Sequence, residues 1–553
     1  MNKIKNITKN RVVLNLVLIV ILVIAYAVNP TNLNPMYSEG AFSILFVASA
    51  FVLANSLTAL SAIKPNVDKN GAFKVDFKPK THGFKRLVVI LAVLWGLFVI
   101  VNFISGPLFN SNAYKNQLGT PVATEFSDDV QLVDLKQVPI VDKSLAASLA
   151  DKKLGENPGM GSQVFLGEPV IQQINDELVW AVPLLHSGFF KWINNLEGSA
   201  GYILVSATNL QDIKFIEAKI KYQPNSYLFD DITRYLRVLK GYSFDALTDY
   251  SFEIDDEGNP YWIITKYSNE WLFSLSEATG VVTLNATTGD VAEYSIEEVP
   301  DWIDRVQPEE FIISQINNQG EYVHGVFNFS NKDKFMTSSE SAIIYNEGNC
   351  YLFTGLTSVG ADESAIGFMM VDMVTKEPKL YQISGATERA AMRSAEGTFQ
   401  QYGYYATSPI IINHKGVPTY FITLKDNSGL LKQYAFVSVT DITSVGAGET
   451  INVALRDYDK VLGSSNTFVP EGGEEEKLTG EVLRIASENL DTGIIYKIIV
   501  QGKEDKIFLA SAELSQELAL TQVGDRVEIS YYETDAGVIS ATIFDNKNLN
   551  QTQ

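Results

Sequence analysis

Cysteine is nearly absent from this chain. Cys350 is the single one among 553 residues. No intrachain disulfide can form, which excludes a disulfide-stapled secreted scaffold and leaves ordinary cores to hold the chain together. Cys350 sits in the apolar run Asn349-Cys350-Tyr351-Leu352-Phe353 and reads as a small core residue rather than a nucleophile. Histidine is almost as scarce: His82, His186, His324 and His414 are all there are, and no two are close in sequence. The spacings HExxH, GxSxG, a phosphate-loop Gly-Lys-Ser/Thr run and CxxC are missing too. Their absence removes the chemistries those motifs encode. No residue set reads as catalytic, metal-ligating or cofactor-binding, and a triad would have to be assembled from distant parts of the chain.

Positive charge is short as well, with 43 Lys+Arg against 65 Asp+Glu and a net charge of −22. The deficit is uneven. Residues 1–109 hold 11 basic and 3 acidic side chains, net +8, whereas the remainder holds 32 and 62, net −30. An acidic region of that balance repels nucleic acid, because neutralising phosphates takes clustered Lys and Arg. The same surplus also keeps a large surface soluble.

Long apolar runs are confined to the first 109 residues. Val12–Val28, 41–63 and 87–109 lack charged side chains. Each is long enough, or nearly so, to cross a hydrocarbon core of about 30 Å. The expected anchor is therefore three transmembrane helices. The N-terminal tail carries Lys3, Lys5, Lys9 and Arg11, and the second loop carries Lys64, Lys69, Lys74, Lys78, Lys80, Lys85 and Arg86. The first loop, 29–40, has no Lys or Arg and one acid, Glu39. Positive loops stay inside, so the N-terminus lies inside and everything after residue 109 lies outside. Ala25-Tyr26-Ala27 behind a basic start also fits a signal peptide. Cleavage there would leave two spans and the same outside location. Three spans without an intramembrane charge offer no ion or substrate path. The Asn- and Lys-rich composition with one cysteine suits a bacterial cell with a single membrane.

The outer part repeats a unit of helix, hairpin, hairpin with polar, often Gly-bearing turns. In repeat 1, residues 141–223, a helix at 143–154 precedes a strand pair turned at Asn175-Asp176 and later strands within 201–216. In repeat 2, residues 224–303, a helix at 227–239 precedes the strands 248–254 and 260–267, then 280–284 and 291–296. Repeat 3, residues 304–385, has a helix at 308–317 and strands at 341–345, 350–355, 368–374 and 379–383. Repeat 4, residues 386–460, has a helix at 386–400 and strands at 409–412, 419–424, 433–439 and 450–453. Residues 110–140 connect the anchor to the first repeat.

The run Thr283-Leu284-Asn285-Ala286-Thr287-Thr288-Gly289-Asp290-Val291 resembles the final hairpin of a PepSY domain, a strand, a TxTG-like turn and another strand. Residues 368–380 and 201–215 are weaker copies, with Thr375-Lys376 and Asn209-Leu210 in place of the Thr-Gly turn. PepSY-like modules are extracytoplasmic, non-catalytic units of protease propeptides and membrane-anchored envelope proteins. The resemblance implies binding or inhibition rather than chemistry, with a protein partner in the envelope.

Residues 461–476 mix Gly, Ser, Pro and an acidic run, and read as a linker. Five short strand patterns follow within 477–547, with a helical turn expected in 514–524, which suggests a small barrel of OB type. A single-strand nucleic-acid role fails there, because 7 basic face 12 acidic residues from Lys477 onward. The fold expected overall is a three-helix membrane anchor, extracytoplasmic α+β tandem repeats and a C-terminal β-barrel.

Two further segments carry chemistry. Asp255-Asp256-Glu257-Gly258-Asn259 has the oxygen density of a calcium loop but not its alternating ligands, and reads as a hairpin turn. His186-Ser187-Gly188-Phe189-Phe190-Lys191-Trp192-Ile193 sets three aromatics beside a cation. Phe189, Phe190 and Trp192 are the candidate partner-binding residues, as an interface hot spot or a membrane-dipping loop. The competing reading packs them as core under the neighbouring repeat.

Overall fold

A computed structural model describes residues 2–60, 66–67, 73–74, 82–130, 138–360, 364–464, 475–490, 493–512, 514–532 and 538–549. The chain divides into two compact units. One holds Met1–Thr120, Ala146–Lys334 and Asp372–Lys376, and the other holds Pro121–Leu145, Phe335–Val371 and Glu377–Gln553.

The first unit begins with four helices, α1 (Asn2–Val28), α2 (Ser38–Leu60), α3 (His82–Ser105) and α4 (Pro107–Asn116). Two of them contain stretches long and apolar enough to cross a membrane, Ser38–Ser56 and Arg86–Ser105. The apolar part of α1, Val12–Val28, is shorter. The third apolar run was expected to continue to residue 109, but α3 stops at Ser105. Gly106 is extended and Pro107 opens α4, because proline has no N–H to continue a helix and suits its first turn. The helices are stitched by polar side chains: Asn55 Nδ2 donates to Asn15 Oδ1 (2.8 Å), and Trp95 Nε1 to Ser49 Oγ (3.0 Å). Most of the basic second loop lies outside the described residues.

Besides the two-stranded ladder of Asn66–Val67 and Phe73–Lys74, two larger antiparallel sheets belong to this unit. In the first, Val164–Leu166, Glu177–His186, Ser199–Ser206 and Ile213–Ile220 are neighbours in that order, and Val170–Ile174 also pairs with Glu177–His186. The turn at Asn175-Asp176 forms as expected, with both residues at positive φ (48° and 64°), the geometry Asn and Asp tolerate in a tight hairpin. The second sheet is a meander of Ala246–Ile254, Pro260–Trp271, Ser274–Asn285 and Val291–Ser295. Its two middle strands reach well beyond the expected ends at 267 and 280. Both sheets feed one core, where Ala181, Tyr202 and Ile220 meet Phe252, Trp262, Ile264 and Leu284. The buried amide of Gln172 acts there as a peptide substitute. It donates to the Ile254 carbonyl and accepts from the Ile254 N–H, both at 2.9 Å.

The second unit contains the third and fourth sheets and a closed barrel. The third orders Phe335–Asn346, Asn349–Ser358, Ser364–Asp372, Pro378–Tyr381 and Val122–Ala123, the last pair parallel. The fourth orders Tyr405–Ala406, Val417–Lys425, Leu431–Ser438 and Val445–Gly448, with Ile410–His414 beside Val417–Lys425. They share a core that includes Phe353, Phe368, Tyr381, Tyr420 and Ile422. Helix Glu388–Thr398 closes it with Ala391 and Ala395, and Thr387 caps the helix by accepting from Ala390 N–H (3.3 Å). The connector at 121–130 is a buckle in this unit. Asp129 receives Lys379 Nζ (2.7 Å) and the Tyr381 hydroxyl (2.5 Å), and Asn413 Nδ2 donates to the Val130 carbonyl (2.7 Å).

Residues 450–453 were expected to be a strand and are not. Val445–Gly448 supplies the last strand, and Ile451–Ser464 is a helix. Thr450 caps it, its hydroxyl accepting from Val453 N–H (3.3 Å). The buried Ala454 and Tyr458 recur at helical spacing. This helix takes the start of the expected linker, while 465–474 lies outside the described residues. Beyond it, Glu475–Leu490, Gly493–Val500, Ile507–Ser511, Val538–Asn546 and Arg526–Tyr532 close into a barrel in that order. Ile507–Ser511 and Val538–Asn546 pair in parallel, and the short helix Gln516–Leu520 falls within the stretch where a turn was expected.

Candidate functional site

The acidic turn at 255–259 explains itself. Asp255 Oδ1 accepts from the N–H groups of Glu257 (3.1 Å) and Asn259 (2.7 Å), and Oδ2 accepts from Asn259 Nδ2 (2.9 Å). The carboxylate is used up in closing the hairpin. Among the described residues no group of three or more His, Cys, Asp or Glu is placed to hold a metal ion.

The histidines are separated. His324 Nε2 pairs with the exposed Asp333 (2.7 Å), and His414 Nε2 with Asp459 (2.7 Å), which also takes Lys415. His186 is buried, with neither ring nitrogen in a well-formed hydrogen bond. Burial pushes its pKa down, against the Gly198 backbone and the Asp230 charge. His82 lies in α3, its side chain outside the described residues.

The most perturbed acid is Glu253, fully buried in the second sheet. It accepts from Ser251 Oγ (3.2 Å) and Asp304 N–H (3.3 Å). Burial first, then the Asp304 charge, pushes its pKa up from an ordinary 4.5 to about 8, against the pull of Arg305. An acid raised in this way binds its proton more tightly folded than unfolded. Its stabilising contribution is full below the unfolded value and is lost as pH rises through the folded one. Glu253→Gln, which mimics the protonated acid, is therefore expected to match the parent near pH 5. It should grow more stable than the parent by up to about 1.4 kcal/mol per pH unit towards pH 8. Thermal unfolding of the two proteins across that range checks it, and parallel curves would contradict it.

The aromatic segment at 186–193 is neither a strand nor wholly core. Gly188, at φ 91°, turns the chain into the short helix Phe189–Ile193. Trp192 is buried, its Nε1 donating to Asp230 Oδ2 (2.7 Å), and it packs against Tyr227. Phe189 stacks edge-on against Tyr227 and is 43 % exposed, while Phe190 is 77 % exposed. Of the three candidate residues, Trp192 is the peg that holds the segment, and Phe189 and Phe190 are the faces it offers to solvent.

A second site was not read from the sequence. The long middle hairpin of the second sheet ends in Trp271-Leu272-Phe273, at the end of α3. Trp271 Nε1 donates to the Ile104 carbonyl (3.3 Å), Phe273 N–H to Ser105 Oγ (3.2 Å), and Ser274 Oγ to the Ser105 carbonyl (2.8 Å). Phe98 and Phe273 rings pack 5.9 Å apart. The loop between α1 and α2 meets the same sheet region. Leu33 N–H donates to the Ser243 carbonyl (2.8 Å), Asn34 Nδ2 to Phe244 O (3.1 Å) and Tyr37 OH to Tyr267 O (3.1 Å). Arg234 Nε caps the Val28 carbonyl at the end of α1 (2.8 Å). The long hairpin of the second sheet and the helical segments just before that sheet thus meet the ends of α1 and α3 and the loop that leads into α2. The signal in the sequence was the apolar triplet 271–273 inside a polar stretch, and it lacks a period of its own.

No family model matches this chain, and no curated protein does. Among solved structures, two single-residue variants of Synechocystis apocarotenoid oxygenase are similar at 10% identity, with TM-scores of 0.14 and 0.13, over 51% of this chain and 50% of theirs. The chain spans about half the length of those structures. Likeness at that level carries no argument about fold or activity.

Proposed function

We propose that this is an integral membrane protein of a bacterial cytoplasmic membrane, with three transmembrane helices and its N-terminus inside. Its large extracytoplasmic region, four PepSY-like repeats and an OB-like barrel, acts as a non-catalytic binding or scaffold module in the cell envelope. The observation that carries the proposal is the seat: the long hairpin of the second sheet and the helical segments just before that sheet, which hold Arg234, Ser243 and Phe244, are bonded to the ends of α1 and α3 and to the loop before α2. That attachment suits a module held at the membrane face, not one trailing on a tether. Four successive sheets, antiparallel but for one short edge pair in the third, support the repeat reading. Closure in the order first, second, third, fifth, fourth supports the OB-like one. The offered aromatics Phe189 and Phe190 suit a protein contact, since exposed aromatics supply much of the energy at interfaces.

A photo-crosslinking amino acid at Phe190 in the full chain, expressed in intact cells, is expected to give one discrete protein adduct. Phe189→Ala should weaken that adduct, because Phe189 braces Phe190. An envelope protease in the adduct would turn the scaffold into a regulator or inhibitor of that enzyme. No adduct at Phe190, in a protein shown to be folded and in the membrane, would remove the partner role from this segment.

A further inference from the structure

Around the seat four large apolar side chains are left partly or largely exposed. Leu228 is 68 % exposed, Phe229 40 %, Phe244 60 % and Leu272 40 %. Leu228, Phe244 and Leu272 sit beside groups bonded to the anchor, and Phe229 follows Leu228 in the chain. The Leu228 carbonyl accepts from the Arg234 guanidinium that also holds the end of α1. The Phe244 carbonyl accepts from Asn34 in the loop before α2. Leu272 stands between Trp271 and Phe273, which hold the end of α3. Leu228 and Leu272 adopt positive φ, 50° and 49°, a conformation uncommon for a bulky side chain.

Exposed apolar side chains occur elsewhere in the chain too, Phe327 and Phe329 among them. These four stand out by place: they flank the bonds to the ends of the apolar helices, the level at which a bilayer gives way to headgroups. Aromatic and leucine side chains are favoured at that depth, and burying them there recovers apolar area that water would otherwise cover. We propose that Leu228, Phe229, Phe244 and Leu272 form a collar inserted into the interfacial layer of the leaflet around the seat, with phospholipid as its ligand. The collar fixes the height and tilt of the second sheet above the membrane. The inference rests on the membrane-anchor reading.

The test uses the full chain carrying Cys350→Ala, reconstituted in nanodiscs of phosphatidylcholine and phosphatidylglycerol. Single cysteines at Leu228 and Phe244 carry an environment-sensitive fluorophore. Ile100 in α3 is the reference for lipid. Glu257 is the reference for water, at the far end of a 12-residue strand and so about 40 Å from the hairpin tip. Labels at 228 and 244 are expected to lose most of their emission to lipids bearing a nitroxide near the headgroup, and to be shielded from an aqueous nickel chelate. Glu257 should show the reverse. If 228 and 244 behave like 257 while Ile100 is quenched by lipid, the collar is overturned and the anchor stands. If Ile100 is not quenched either, the anchor reading itself fails. Phe229 and Leu272 replace either position whose label disturbs folding.

Discussion

Asp142→Asn is expected to destabilise the second unit by about 3–5 kcal/mol. Its partner is Lys425, a lysine only 1 % exposed at the end of a central strand of the fourth sheet. The ammonium has Asp142 at 2.5 Å and Ser144 Oγ at 2.9 Å. Burial raises the pKa of Asp142, but hydrogen bonds from Lys425, the Leu145 backbone and Ser144 outweigh it, and the carboxyl is held below its usual range. With asparagine at 142, the buried ammonium keeps only the neutral Ser144 of these two partners. An uncompensated buried charge costs far more than the intact pair contributes. The double variant Asp142→Asn/Lys425→Met should therefore recover most of the loss, because it removes the stranded charge as well. Chemical unfolding of the three proteins measures this. Equal losses in the single and double variants would mean the pair is not coupled.

Gly446→Ala carries the second large effect, about 3 kcal/mol by overpacking, the upper end of the usual range because the clash is with backbone. Helix Ile451–Ser464 lies directly on the strand Val445–Gly448. A Cβ at 446 would stand 2.0 Å from the Tyr458 backbone nitrogen and 2.2 Å from its Cα. These are backbone atoms, so no side chain can turn aside, and the helix has to move away. Tyr458, now fully buried with its hydroxyl 3.0 Å from Thr419 Oγ1, would lose its pocket. Amide exchange across 451–464 should speed up markedly. Gly397→Ala is the control, because nothing lies within 4 Å of the added carbon and alanine suits a helix better than glycine by up to about 1 kcal/mol. Equal effects at the two positions would contradict the close helix–strand contact.

These two sites also show what a sequence can disclose. Local chemistry was legible. Asn175-Asp176 marked a tight turn, the 255–259 run marked another, and the alternation of β-branched and aromatic residues marked most strands. The barrel's five strands were visible as five short runs. The helix at 451–464 was hidden behind the β-branched start Thr450-Ile451-Asn452-Val453, which outweighed the spacing of Ala454 and Tyr458. The long hairpin at 260–285 was cut short because its pairing slips between Lys266 and Tyr267, which breaks the two-residue period a strand is read by. The seat was beyond reach. Trp271 and Ile104 are 167 residues apart, and no local pattern joins them. The aromatic segment was visible in the sequence, but the division between a buried Trp192 and an offered Phe190 depends on Asp230, 38 residues further along.

The proposed function requires that α1, α2 and α3 cross a membrane and that the sheets lie outside it. Single cysteines at Asn70 and Asn331, in the Cys350→Ala background, test it in intact cells with a membrane-impermeant maleimide. Labelling at 331 without lysis, and at 70 only after the membrane is opened, is the expected result. Labelling at 70 in intact cells with 331 protected would place the sheet-rich region inside and contradict the account.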